Sequence, residues 1–282
     1  MGGAQRISVG AVAPTITATF RDGHGMPVAP GATVTVGVDD WAGVEVLAPL
    51  TATTSPQTGV YQVALPTPTA ATQLTATWTA GSASIVTTVD VVGGRLVWPE
   101  EFTSSPGVGF AGRSSIEISD AIAWFEDLAY RYLNWSPIVR FASRTLRGCG
   151  TFSGAFSLPD PFVTDLLGVT WHSTGVPDVV ATAGELALFE VTDAGLLYGS
   201  YVTTKATVAY THGDPSGAAD LHDAALTAIR LHLLENSAGR PTLSVANDLG
   251  GVTRFSVAGE DKPTGIPEVD AVLNGLRFPV CA

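Results

Sequence analysis

The stretch Lys205-Ala-Thr-Val-Ala-Tyr-Thr-His-Gly213 constrains this chain more than any other, because it delivers a strand straight into a long helix. Thr207, Ala209 and Thr211 alternate with Val208, Tyr210 and His212, the period of a half-buried strand. Gly213 breaks the strand. Asp214 or Ser216 supplies a cap for the next helix, and the fixed φ of Pro215 suits a first turn. In that helix, which runs to about Asn236, Leu221, Ala225, Ala228 and His232 form one stripe. Leu226, Ile229 and Leu233 form the stripe beside it. An apolar face wider than roughly 100° needs more than one neighbour to cover it, so this is the central helix of a domain. Gly239 and Pro241 stop it.

With 282 residues there is room for two ordinary domains, each with its own core. Only 14% of residues are charged, yet 26 acidic against 14 basic side chains leave a net charge of −12. That balance argues against a protein that grips nucleic acid by its phosphates, and is compatible with one that nucleic acid slides past. Cys149 and Cys281 make neither a metal spacing nor a disulfide framework; a single pairing between them is open, but they read first as two lone thiols in a reducing compartment. The N-terminus lacks a charged region followed by a long apolar run, so no signal peptide is expected. Nor does any apolar run approach the roughly 20 residues of a membrane span. The expectation is a soluble protein made inside a cell, with no membrane partner.

The first third reads as short strands: Arg6–Val12, Thr15–Phe20, Ala32–Val38, Gly59–Leu65, Gln73–Thr79 and Ser84–Val92. Turn signals at Asp22-Gly-His-Gly-Met-Pro27, Ala29-Pro-Gly31, Pro56-Gln-Thr-Gly59 and Ala80-Gly81 separate them. Such spacing predicts an antiparallel sandwich, with Tyr61, Val63 and Leu65, and likewise Leu74, Ala76 and Trp78, facing one core. The phrases Asp22-Gly-x-Gly-x-Pro-Val28, Gly31-Ala-Thr-Val-Thr35 and Thr58-Gly-Val-Tyr61 resemble bacterial and phage immunoglobulin-like domains over most of residues 6–92. Domains of that kind serve as spacers, decorations or binding modules, so the resemblance bears on fold more than on function.

Beyond Gly93-Gly94 the pattern changes. Ser114-x-x-Glu117 is a capping box, and Ile118, Ile122, Phe125, Leu128 or Ala129, and Tyr132 recur at helical spacing until Trp135-Ser-Pro137. A strand is expected at Ile138–Phe141, a glycine turn in Arg144–Thr151, and further strands at Ala155–Pro159, Phe162–Trp171, Leu186–Val191, Tyr198–Thr211 and Gly251–Val257. Pro267 opens a last helix with Val269, Val272, Leu273 and Leu276 on one face. Helix, strands, long helix, short helix is an α+β order. The predicted division is a β-sandwich over 1–97, a linker over 98–113 and an α+β domain over 114–282.

Chemistry is hard to place on these residues. Gly107-Val-Gly-Phe-Ala-Gly112 matches G-x-G-x-x-G, but no strand runs into it, and Arg113 stands where a phosphate loop has lysine. Of His24, His172, His212, His222 and His232, only the last two share a helix, nearly three turns apart. His222 with Asp220 or Asp223 makes at most part of a metal site. His212 reads as a polar residue at a strand-to-helix turn. Glu100-Glu101 and Asp39-Asp40 sit in apparent turns, and Cys149 between two glycines reads as a small turn residue. No catalytic residue, metal ligand or cofactor site is expected, and the chain does not read as an enzyme.

Five pieces together resemble the head-to-tail adaptor proteins of long-tailed bacteriophages, also termed connector or head-completion proteins. They are the aromatic-rich helix Ile116–Trp135, Arg144-Thr-Leu-Arg-Gly-Cys-Gly150, Leu158-Pro-Asp-Pro161, Val208-Ala-Tyr-Thr-His-Gly213 running into Leu221-His-Asp-Ala-Ala225, and Gly265-Ile-Pro-Glu-Val-Asp-Ala-Val-Leu273. The resemblance spans about residues 98–282. It implies a phage adaptor fold and a structural virion protein of the neck, forming a ring of about twelve copies under the portal. Its partners would be further copies of itself, the portal and the next neck or tail-side connector, with genomic DNA passing through the ring unread. The segment carrying Ile266, Val269, Leu273, Leu276, Arg277 and Phe278 would either dock on the portal or close its own domain's core. The front sandwich lies outside what the family requires. Two rival readings remain: an immunoglobulin-like module binding host glycan, with Trp41 as its one evident aromatic, and a metal-dependent hydrolase using His222.

Overall fold

The structure, a computed structural model, describes residues 5–103, 113–147, 155–172, 177–193, 195–198, 205–214, 216, 218–238, 244–246, 252–254 and 263–277. The fold is mixed, with several β-sheets and a few helices. It divides into two compact units, one of Met1–Gly94 with Arg140–Ser143, the other of Arg95–Val139 with Arg144–Ala282. No described helix is long and apolar enough to cross a membrane.

The first unit carries β1 (Gln5–Ser8), β2 (Thr15–Thr19), β3 (Val34–Asp40), β4 (Glu45–Thr51), β5 (Thr53–Thr54), β6 (Val60–Ala64), β7 (Thr72–Ala80) and β8 (Ala83–Val92). They form two sheets, ordered β1-β8-β7-β3-β4 and β2-β6-β5. Every pairing is antiparallel except β1 with β8. Alternate residues of β3, β7 and β8 (Val34, Val36, Val38; Leu74, Ala76, Trp78; Val89, Val91) meet Ile16, Ala18, Tyr61 and Val63 of the other sheet in one core. Side chains that alternate between faces make this burial possible. The Trp78 indole is fully buried and donates to Thr87 Oγ1 at 2.9 Å. Phe20 meets Tyr61 edge-to-face at 5.6 Å.

Two loops of this unit have specific chemistry. The Asp22 carboxylate accepts from the backbone N–H of His24 and of Met26, which sets the Asp22–Pro27 turn. Gly59 has φ +75°, and a Cβ there would lie 2.6 Å from Val28 N, so only glycine lets the two loops touch. The six expected strands form within a few residues of their predicted limits. Strand β4 was not expected: six of its seven side chains are exposed, and Pro49 interrupts it, as suits a sheet edge.

The second unit begins with buried Leu96 and Val97, and then α1 (Pro99–Thr103), inside the span expected as a linker. There follow α2 (Ser115–Leu133), β9 (Arg140–Arg147), β10 (Ala155–Ser157), β11 (Val163–His172), β12 (Val179–Val180) and α3 (Ala183–Leu186). Next come β13 (Glu190–Val191), β14 (Leu196–Tyr198), β15 (Lys205–His212), α4 (Ala218–Ala238), β16 (Ser244–Ala246), β17 (Val252–Arg254) and α5 (Pro267–Leu276). The main sheet runs β12-β11-β15-β9, a smaller one β10-β14-β13, and β16 pairs with β17. Helices α2, α4 and α5 pack on one another.

The capping box at Ser114 and Glu117 forms as expected, and α2 ends at Asn134 in the left-handed conformation, φ 63°. It buries Ile118, Ile122, Phe125 and Ala129, while Leu128 and Tyr132 stay half-buried. On α4, Leu221, Ala224, Ala225, Ala228, Ile229 and Leu233 are buried. Ahead of it, Asp214 accepts from the Ser216 N–H at 2.8 Å, whereas Pro215, Gly239 and Pro241 lie outside the described residues.

Two expectations need correction. Strand β15 alternates only at its outer end, and Val208 to His212 are all buried, because it is an inner strand of its sheet. Leu186–Val191 is not one strand: Thr182 and Glu185 form a second capping box, which turns Ala183–Leu186 into a helical turn and leaves only Glu190–Val191 extended.

Candidate functional site

Strand β15 ends in the most polar part of the second unit's core. Asp160, only 4% exposed, lies in the loop between β10 and β11. Its Oδ2 accepts from the Tyr210 hydroxyl of β15 at 2.6 Å, and its Oδ1 accepts from the Tyr130 hydroxyl of α2. Arg144 Nε of β9 lies 3.7 Å from Oδ2, and His212 Nε2 lies 4.0 Å from Oδ1. The rings of Tyr130 and Tyr210 stand 5.7 and 5.8 Å from that of His212. One carboxylate thus ties a helix, a loop and two strands.

A buried carboxylate is tolerated only when its charge is paired and its lone pairs are filled, and these partners do both. The tyrosines respond in the opposite sense. Burial first, then the hydrogen bond to the Asp160 carboxylate, pushes Tyr130 up to about 12 and Tyr210 higher still. Burial is the largest influence on Arg144 and lowers it, but Asp160, Tyr210 and Tyr130 together outweigh it and the net direction is upward.

Backbone close contacts complete the arrangement. Gly213 has φ +129°, and a Cβ there would sit 2.3 Å from Ile138 O. Its N–H donates to Phe162 O and that of Asp214 to Ser136 O, each at 2.9 Å. The chain can leave β15 for α4 only by crossing the α2–β9 connection this closely, which explains His-Gly in physical terms. Gly195, φ +79°, crosses behind Asp160 in the same way, with Asp160 O 2.8 Å from where a Cβ would lie.

The expected docking segment has a definite place. Ile266, Val269 and Leu273 are buried, and α5 packs on α2 and α4. Trp135 Nε1 donates to Leu276 O at 2.9 Å, Tyr132 donates to Asn274 Oδ1, and the Arg277 guanidinium lies 5.0 Å from the Tyr132 ring centre. Of the residues expected to meet the portal, three are therefore engaged in their own unit's core. Leu276 is half-buried and Arg277 exposed, while Phe278 lies outside the described residues.

The other candidates fall apart as sites. His222 Nε2 lies 2.8 Å from Glu101 Oε2 of α1, and Nδ1 lies 3.3 Å from Asp223 Oδ1. The carboxylates thus face different ring nitrogens and share no common point, and Asp220 is not part of the contact. Burial lowers His222, but the two carboxylates outweigh it and its pKa is raised. His232 stacks on Trp124 at 4.0 Å, and His172 pairs with Asp178 at 2.9 Å. Among the described residues no group of histidines, cysteines and carboxylates is arranged to hold a metal ion. Gly107–Gly112, Cys149 and Cys281 lie outside the described residues.

Nothing in the sequence marks Tyr130, Arg144, Asp160 and Tyr210 as sharing a role. The one available signal was an aspartate between two prolines, too rigid for a random surface loop.

No family model matches the chain, and no curated protein matches it. Among solved structures it is similar to a chain described as "Neck of empty GTA particle computed with C6 symmetry", at 14% identity and a TM-score of 0.44. The alignment covers 66% of this chain and 92% of that one. Likeness at this level carries neither fold nor function across.

Proposed function

We propose that this chain is a structural protein of a phage virion, a head-to-tail adaptor that forms a ring between the portal and the tail. The observation that supports the reading most is the convergence on Asp160. Pieces of the adaptor resemblance that are far apart in sequence supply Tyr130, Arg144, Asp160, Tyr210 and His212 to one buried cluster. Such a cluster keeps a shape. Both carboxylate oxygens already accept a tyrosine hydroxyl, and burial hides them from any substrate.

In this reading about twelve copies surround the DNA path, and the net charge of −12 suits a lumen that genomic DNA crosses without being held by its phosphates. The first unit is an immunoglobulin-like decoration of the neck. The portal contact is made by the end of the expected segment, Leu276, Arg277 and Phe278, because Ile266, Val269 and Leu273 are committed to the core. The next neck or tail-side connector covers the opposite end of the ring. Native mass measurement of the purified chain, alone and mixed with its portal, tests the proposal. A closed oligomer on the portal is expected, and a chain that stays monomeric and unbound with the portal present would overturn it.

A further inference from the structure

We infer that the main sheet of the second unit continues from one copy of the chain into the next, the β12 edge of one subunit meeting the Arg144–Arg147 half of β9 on its neighbour. The inference rests on the ring reading above and names the surfaces that would make the ring.

Strands β12 and β9 are the two edges of the sheet β12-β11-β15-β9, so each has one paired side among the described strands. The β12 edge is apolar where it should be polar. Val179, Val180 and Leu188 are 55, 67 and 77% exposed, and no residue of α3 is buried. Val179 pairs with Trp171, whose ring lies 5.8 Å from that of Phe189, both half-buried. Exposed apolar side chains on an edge strand are ordinarily covered by another chain.

Charge selects the occupant. Around the β12 edge, Asp178 and Glu185 are exposed, Asp178 beside His172 of β11, with Glu190 beyond α3; among the described residues the one lysine, Lys205, lies on β15, two strands further in. On the β9 edge the exposed charges are Arg147 and Arg144, the latter already beside Asp160 of its own subunit. Pairing either edge with its own copy would set like charges opposite each other, which is destabilising. Pairing the two different edges sets acid against base and brings Leu146, half-buried on β9, toward the valines. A contact between two different faces of one subunit is heterologous, and repeated with a closing rotation it gives a ring rather than a symmetric dimer.

The test uses the full chain with Cys149→Ser and Cys281→Ser, carrying Arg147→Cys, Val180→Cys or both. On oxidation the double variant should give a ladder of covalent oligomers. Each single variant should form no covalent oligomer by itself, and a mixture of the two singles should stop at covalent dimers. Single variants that cross-link to themselves as readily would overturn the pairing. So would a double variant that fails to cross-link under conditions where the unmodified chain is oligomeric, and that result would leave the ring itself standing. An unmodified chain that is monomeric alone and with the portal would remove both. In a second arm, Arg147→Glu should raise the concentration for half-assembly by about tenfold or more, and adding Asp178→Arg in the same chain should reverse it. An unchanged value, or a loss that Asp178→Arg does not reverse, would show that these charges only guard free edges.

Discussion

The first unit fills its interior with Val34, Val36, Val38, Leu74, Ala76 and Trp78, whereas the second buries Glu126, Asp160, His212 and Asp270 beside its apolar side chains. An apolar core is tolerant: side chains of similar volume exchange at modest cost, and the strand period largely suffices to form it. A buried carboxylate is demanding, because each lone pair left empty costs about 1–3 kcal/mol or more. Asp160 binds two tyrosines, Glu126 accepts the Leu96 N–H, and Asp270 accepts the N–H and hydroxyl of Thr264. The second unit is thus specified by direction as well as by volume.

Removing one member of each core should separate these regimes most clearly. Asp160→Ala leaves two buried tyrosine hydroxyls without their acceptor and Arg144 without its counter-ion, and should destabilise the second unit by about 3–5 kcal/mol. Trp78→Ala should cost the first unit a similar amount, about 3–5 kcal/mol, through the cavity alone. Hydrogen exchange read peptide by peptide would check this: protection should collapse in residues 115–276 for the first variant and in residues 5–92 for the second. Collapse of both units in either variant would dissolve the contrast. The sharper distinction is the response to conservative exchange. Trp78→Phe keeps most of the apolar contact, while Asp160→Leu, similar in volume, should still lose the tyrosine bonds and the fixed geometry.

A smaller effect appears at high pH. Tyr130 titrates at about 12 in the folded chain against an ordinary 10.0, so the folded state holds its proton more tightly than the unfolded state. Its contribution is fully present below the ordinary value and is lost as pH rises through the folded one. Denaturant midpoints of the unaltered chain and of Tyr130→Phe should therefore converge between about pH 10 and 12. A gap that is constant with pH would contradict the bond to Asp160.

The smallest effect belongs to the clasp between α1 and α4. His222 is raised by Glu101 and Asp223, so its stabilisation is present below its ordinary value of 6.5 and lost as pH rises through the folded value. Solvent screens this exposed contact, and His222→Ala should cost only a few tenths to about 1 kcal/mol in acid and less in mild alkali. Thermal unfolding of both proteins at the two pH values measures the difference.

The same contrast explains what the sequence could reveal. Strands such as Thr72–Ala80 are legible because every second residue is apolar and every second one is buried. Strand β4 hides because an exposed edge has no apolar face to advertise. In the second unit the two long helices are legible from their stripes, and α5 from its proline. His212 is not, because its surroundings come from Tyr130 and Asp160, far away along the chain. The helical turn at Ala183–Leu186 was hidden by its apolar neighbours Leu188 and Phe189, which suggest a strand, although its capping box is visible once sought. For Ile266, Val269 and Leu273 the helical period shows an apolar face but not what covers it, and here the answer is the chain itself.

The most direct test of the proposed adaptor role is the position of the chain in the particle. Labelling the chain and imaging intact virions should place it as a closed ring at the head–tail junction. Density anywhere else on the particle, or none at all, would contradict the account.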